Sequence, residues 1–136
     1  MKRCLDSTFL SDLVRGVPAA LDAAERWARD GDELTITSVS RYEVLLGIEL
    51  ERSESRREQW RAVWERFAAS LPLIPLEGTA AALAATRQAA LIRKGRRAAV
   101  PDLFIAAAAA SQGCDVVVTD DRDDFDRIGL VKAVRP

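Results

Sequence analysis

The chain has 136 residues, a formal charge of −1 and 49% hydrophobic composition, enough to bury a proper core within one domain. Histidine is absent, which removes imidazole bases, Ser-His-Asp and Cys-His nucleophile pairs and histidine-containing zinc sites, so any chemistry has to run on carboxylates. No apolar run reaches about 18 residues and Asp6 interrupts the N-terminus too early for a signal peptide, so a cytoplasmic protein with no membrane span is expected.

Arg3-Cys4-Leu5 reads as a short strand that turns at Asp6 into a helix with Phe9, Leu10, Leu13 and Val14 on its apolar face; Asp6 or Ser7 can cap it. Gly16-Val17-Pro18 ends that helix and opens a second over residues 19–29, with Leu21, Ala24 and Trp27 or Ala28 facing inward. Leu34-Thr35-Ile36-Thr37 is a β-branched second strand, after which Ser38 or Ser40 caps a helix running through Ile48. Ser40 and Glu43 satisfy the capping-box spacing, an ordinary structural reason for that glutamate. Residues 49–58 alternate in charge and read as a solvated hairpin or helix edge.

Trp60, Val63, Trp64, Phe67, Ala68 and Leu71 follow the helical period without a miss, which predicts one amphipathic helix whose aromatic face packs in the core or meets a partner. Leu71 to Leu76 holds two prolines and predicts a short strand near a sheet edge. A helix over residues 77–93 runs into Arg93, Lys94, Arg96 and Arg97 around Gly95; these cations either cap the helix or form a phosphate-binding patch beside an acidic site. Pro101 and Asp102 suit the first turn of a further helix, Leu103 to Ala110 is apolar all round, and Gln112-Gly113 stops it. Val116-Val117-Val118 is β-branched and unalternating, as expected for a strand covered on both faces, and it empties into Thr119, Asp120 and Asp121. A short helix over residues 124–128 and a strand over residues 131–134 follow.

Cys4 and Cys114 have no metal-ligand spacing and read as buried, reduced thiols. Of the 20 basic residues 17 are arginine, the side chain that pairs bidentately with phosphate, so acids gathered in one site would leave a basic rim.

Strands alternating with helices predict a parallel sheet of about five strands in a three-layer α/β/α sandwich, a single domain spanning residues 1–136. In such sheets ligands sit beyond the carboxyl ends of the strands. Asp6, Glu43, Asp102 and Asp121 converge there if the first, second and fourth strands adjoin. Gathered carboxylates raise one another's pKa unless a cation neutralises them, and an all-oxygen donor set selects Mg²⁺ or Mn²⁺. A coordination sphere left incomplete admits a phosphate oxygen and a water, which is the logic of metal-assisted phosphodiester hydrolysis.

Four motifs now stand in order: Leu5-Asp6-Ser7, Ser40-Arg41-Tyr42-Glu43-Val44-Leu45-Leu46-Gly47, Pro101-Asp102-Leu103-Phe104-Ile105-Ala106-Ala107 and Val117-Val118-Thr119-Asp120-Asp121-Arg122-Asp123-Asp124-Phe125. Together they resemble a PIN-domain ribonuclease of the VapC toxin type across essentially the whole chain. The resemblance implies a PIN-like domain, a Mg²⁺ or Mn²⁺ site and endonucleolytic cleavage of RNA. It further implies a homodimer held inactive by a cognate antitoxin whose tail enters the active-site groove. Carried over by position, Asp6, Glu43 and Asp102 are the core acids and Asp121 is the fourth, with Asp120 and Asp124 in reserve. Thr119 matches a hydroxyl residue that orders water or a carboxylate.

Two other α/β readings fit poorly. A haloacid-dehalogenase-type phosphatase wants an aspartate at position 8, which is Thr8, and a response-regulator receiver wants a late lysine beyond what Lys2, Lys94 and Lys132 offer. The stronger alternative is a PIN-fold module that binds RNA or a partner without cutting.

Overall fold

Three consecutive β-branched residues favour extended backbone and leave no polar face for solvent. Val116, Val117 and Val118 accordingly form an interior strand, all three buried. The computed structural model describes residues 1–136. Its strands are β1 (Lys2–Leu5), β2 (Glu33–Thr37), β3 (Leu73–Ile74), β4 (Val116–Val118) and β5 (Lys132–Val134). They form one parallel sheet in the order β3-β2-β1-β4-β5, so β1 lies between β2 and β4 as convergence of the acids requires.

Parallel neighbours need crossovers, and the crossovers carry the helices onto both faces. These are α1 (Ser7–Val14), α2 (Pro18–Arg29), α3 (Ser38–Leu50), α4 (Glu54–Val63), α5 (Gly78–Arg93), α6 (Val100–Ser111) and α7 (Arg122–Ile128). Successive strand residues point to opposite faces. Leu5 and Val118 therefore join Phe9, Leu13, Trp27 and Trp64 in one core, while Cys4 and Val117 join Leu91, Ile105 and Phe125 in the other. Helices α1 to α4 cover the first face and α5 to α7 the second, giving the three-layer sandwich read from the sequence. Both thiols are buried and reduced, as expected. No helix is long and apolar enough to cross a membrane.

Several local expectations are corrected. Neither Ser38 nor Ser40 caps α3: the cap is Thr37, whose Oγ1 accepts the Ser40 N–H at 3.0 Å and donates to the buried Ser40 hydroxyl at 3.2 Å. Glu43 then lies beyond the first helical turn, so the capping-box explanation for it falls away. Leu21 sits on the outer side of α2, where Ala20, Ala23, Ala24 and Trp27 are the buried set. Residues 49–58 form no hairpin; they are helix ends, the other alternative, with a short turn after Leu50 in which Ser53 Oγ accepts the Arg56 N–H to start α4. The aromatic helix is not uniform either. Beyond α4 it widens into a π-helical turn, Trp64–Ala68, closed by the Ala69 N–H to Trp64 C=O bond at 2.9 Å. The inserted offset keeps Trp64 and Ala68 buried but carries Phe67 out to 38% exposure.

At the end of α5, Gly95 adopts φ +69°, the left-handed conformation that lets its N–H reach Ile92 C=O at 2.9 Å while Arg96 N–H reaches Leu91 C=O at 2.8 Å. The Gln88 side chain holds the following loop by bonding both the C=O and the N–H of Ala98. Backbone and glutamine thus finish the helix. Arg93, Lys94, Arg96 and Arg97 stay exposed and enter none of the ion pairs.

Candidate functional site

Asp6 is the first residue past β1, and its backbone N–H continues the sheet ladder to Val118 C=O at 3.0 Å. It occupies the N-cap position of α1 with extended backbone, yet its side chain makes no capping bond. The carboxylate turns instead toward the end of β4. Thr119 Oγ1 donates to its Oδ2 at 2.8 Å and Thr8 Oγ1 to the same oxygen at 3.3 Å, while Ser7 Oγ stands 3.5 Å from Oδ1.

Thr119 is itself fully buried, anchored by its N–H to Val134 C=O at 2.9 Å, and its hydroxyl accepts the Asp121 N–H at 2.9 Å. Thr8 Oγ1 likewise accepts the Asp120 N–H at 3.1 Å. The four motifs do not single out Thr8. Its only signal in the sequence is a hydroxyl two residues past a strand-ending aspartate, which looks like an ordinary first-turn residue of a helix.

Burial raises the Asp6 carboxyl above its usual range, opposed by the Thr119 hydroxyl, the Ser7 backbone and the Thr8 hydroxyl, with the charge of Asp121 raising it further. Glu43, half-buried on α3, is raised by burial and by the charge of Asp6, with the Ser7 hydroxyl lowering it. Its Oε1 is buried with no hydrogen-bond partner. Asp102, in the first turn of α6, is pushed up to about 6, first by burial and then by the charges of Asp6, Glu43, Asp124 and Asp121. A helix N-terminus normally favours an ionised acid, so burial and the neighbouring charges outweigh it here.

Asp6, Glu43, Asp102 and Asp121 therefore share one electrostatic field. Asp124 joins it while also accepting a hydrogen bond from Arg127 at 2.6 Å. Asp120 is exposed and reaches the network through its backbone N–H rather than its carboxylate. Arg93, Lys94, Arg96 and Arg97 are not brought into contact with the acids; Arg97 precedes Asp102 by five residues, a span of at most about 17 Å.

No three of these carboxylates lie close enough together to clasp one ion at once. Their charges meet before their oxygens do. The donor set is nonetheless all oxygen, and the buried, unpartnered Glu43 Oε1 carries a desolvation cost that a cation would offset. Such residues suit a hard divalent ion, Mg²⁺ or Mn²⁺, that retains some of its waters.

The family model for the PIN domain matches residues 3–130. The chain belongs to the PIN-domain family. Among solved structures, this PIN domain is similar to DNA-bound VapBC from Salmonella typhimurium, with 27% identity, a TM-score of 0.83 and coverage of 99% of this chain and 98% of that one. It is also similar to VapBC-5 from Mycobacterium tuberculosis, of the VapBC family of toxin–antitoxin systems, at 27% identity, a TM-score of 0.73 and the same coverage of 99% and 98%. VapBC2 from Rickettsia felis, bound to a promoter DNA fragment, shares the fold at 19% identity with a TM-score of 0.86, covering 100% of this chain and 99% of that one. No curated protein matches the sequence. The VapC-type PIN resemblance read from the four motifs is upheld by these likenesses.

Proposed function

We propose that this PIN domain is a Mg²⁺- or Mn²⁺-dependent endoribonuclease and acts in the cytoplasm as the toxin of a toxin–antitoxin pair. The observation that carries the reading is the gathering of Asp6, Glu43, Asp102 and Asp121 at the carboxyl end of the sheet with Glu43 Oε1 buried and unpartnered, a crowding that also lifts the Asp102 carboxyl to about 6. A structural ion-pair network places cations among its acids; here acid faces acid, which is unfavourable unless the site exists for a cation.

Asp6, Glu43, Asp102 and Asp121 would hold the ion, one or two of them directly and the others through its retained waters, with Asp124 beside Asp121 and Asp120 turned outward. A bound divalent ion supplies Lewis-acid stabilisation of the phosphate and a water of lowered pKa. The protein's own part is to orient and to exclude. Thr119 fixes the Asp6 carboxylate, and Asp6 is itself almost fully buried between the ends of β1 and β4, which limits the access of bulk water to it. The exposed cations Arg93, Lys94, Arg96 and Arg97 would bind the RNA backbone, and the acidic centre would receive the scissile phosphate.

The relatives in VapBC assemblies support an antitoxin as partner. Along α3, Tyr42, Leu46 and Leu50 are exposed at successive helical turns, at 63%, 41% and 70%. Beside them a groove of about 400 Å³ runs past Glu43 between Val39, Tyr42, Leu46, Val100, Pro101 and Phe104. An apolar antitoxin segment laid there would cover the site, and the remaining stripe would serve a homodimer. The row of aromatic side chains that begins at Trp60 is the weaker surface for this, since Trp64 is buried.

The test is degradation of RNA by the purified protein with and without Mg²⁺ or Mn²⁺, beside Asp6→Asn and Asp102→Asn variants shown to be folded. Metal-dependent cleavage lost in both variants supports the enzyme. RNA binding without cleavage by the parent supports the binding module, and equal cleavage by the variants places the site elsewhere.

A further inference from the structure

The hydroxyls of Thr8 and Thr119 are wired alike. Thr119 Oγ1 accepts the Asp121 N–H at 2.9 Å and donates to Asp6 Oδ2 at 2.8 Å; Thr8 Oγ1 accepts the Asp120 N–H at 3.1 Å and reaches the same Oδ2 at 3.3 Å. The two hydroxyl oxygens stand 3.5 Å apart. A backbone N–H only donates, so each hydroxyl accepts from its amide, and its own proton goes to the nearer acceptor, which is Asp6 Oδ2 at 2.8 Å and 3.3 Å rather than the other hydroxyl at 3.5 Å. The loop after β4 thereby turns both hydroxyl protons toward the acids, and the shorter distances select Asp6. An oxygen receiving two such protons has no room for a proton of its own, and Asp6 Oδ2 is committed to the protein.

Oδ1 receives neither threonine hydroxyl; its side-chain contact is Ser7 Oγ at 3.5 Å, the outer limit of a hydrogen bond. We propose that Thr8 is a positioning residue which, paired with Thr119, locks Asp6 so that Oδ1 is the oxygen offered to the metal. The proposal rests on the nuclease reading above. Core packing does not account for Thr8: the buried residues of α1 are Phe9, Leu10, Leu13 and Val14, and Thr8 is only partly covered. Its hydroxyl instead ties the start of α1 to the loop that carries Asp121, joining acids from two ends of the chain. Metal sites commonly depend on such supporting hydrogen bonds for the orientation of their ligands.

The experiment compares Thr8→Val, which keeps the shape and removes the hydroxyl, with Thr8→Ser, which keeps the hydroxyl and removes the methyl. Thr8→Ala repeats the first contrast should valine disturb the fold. Mn²⁺ affinity is read by calorimetry and the Asp120 amide by hydrogen exchange, with circular dichroism establishing folding. Thr8→Val is expected to bind Mn²⁺ about tenfold more weakly and to expose the Asp120 amide to faster exchange, while Thr8→Ser stays within about twofold of the parent. Unchanged affinity in a folded Thr8→Val protein overturns the proposal, as does a serine variant that loses as much as valine. If the parent binds no Mn²⁺, the nuclease reading fails and the metal-facing assignment of Oδ1 fails with it. The exchange measurement then separately decides the positioning role: an Asp120 amide unaltered in Thr8→Val overturns that as well.

Discussion

Thr119 and Asp6 stand 113 residues apart in the chain, yet the hydroxyl of one donates to the carboxylate of the other at 2.8 Å. Because both residues are buried, neither group has water to fall back on. Thr119→Val keeps the shape of the side chain, strips a donor from Asp6 and leaves the Asp121 N–H without its acceptor. A loss of about 1–3 kcal/mol in urea unfolding is expected. Thr119→Ser should retain most of the stability; equal losses in the two variants would assign the effect to packing.

Asp102 carries the opposite sign. Its ionised form is disfavoured in the fold, with the carboxyl near 6 instead of the ordinary 3.8. Asp102→Asn removes that charge at neutral pH, so the variant without added metal should melt higher, with a gain of about 1–2 kcal/mol once solvent screening at a half-buried group is allowed for. RNA cleavage should vanish in the same variant. A variant less stable than the parent would show that the ionised carboxylate contributes a favourable bond.

The pH response follows from the same shifts. Asp102, Asp6 and Glu43 all have raised folded-state pKa values, so the folded chain holds these protons more tightly than the unfolded chain does. That contribution is fully present below the unfolded pKa and is lost as pH rises through the folded one, a window from about 4 to about 6 for Asp102. Thermal melts across it in a chelating buffer should show this part of the stability falling with rising pH. Mn²⁺ should restore more at neutral pH than at the acid end, since it competes with protons for the same oxygens. A metal-induced shift larger at acid pH than at neutral pH would contradict the site.

The four cations at the end of α5 and in the loop after it make no ion pairs, so their removal should leave folding stability within about 0.5 kcal/mol. Replacing Arg93, Lys94, Arg96 and Arg97 with alanine should weaken RNA binding uniformly across sequences. The slope of log affinity against log salt should flatten by about 0.7 for each single-strand phosphate that is no longer neutralised. An unaltered slope would mean the RNA runs elsewhere.

On α3, Leu46→Asp places a charge in the exposed apolar stripe without touching the buried Val44 or Ile48. Self-association and antitoxin capture should both fall, with little change in melting temperature. Analytical ultracentrifugation and co-purification check the two separately. Normal assembly of the variant would free this face from either role.

The strands are readable where composition leaves one answer. Val116 to Val118 cannot face water on either side, and two prolines around Leu73 and Ile74 can be borne only at an edge. Sequence misleads where the deciding feature is one that a local pattern does not carry. Ser40 and Glu43 have the spacing of a capping box, but whether a helix starts at residue 38 or 41 depends on Thr37, the last residue of the preceding strand. Phe67 fits the 3.6-residue period, but the π-helical turn changes that period within its own span. Among the candidate site residues, Asp6, Asp102 and Asp121 stand out in the sequence because each carries an acid where a strand ends or a helix begins, whereas Glu43, past the first turn of α3, is marked by the PIN-domain resemblance. Thr8 is not, because its partners are an aspartate two residues back and an amide from the other end of the chain.

The pairing of β1 with β4 also sets a timetable. The first acid is made with the first strand, but its hydroxyl partner and the Asp121 loop come more than a hundred residues later, and β4 is the strand that brings them together. Contacts so distant in sequence form late in folding. A chain still being synthesised therefore holds only a scattering of carboxylates, and the gathered acidic site exists only once the second half has docked. If the proposed RNA substrate surrounds the chain during translation, that order of assembly would separate making the protein from arming it.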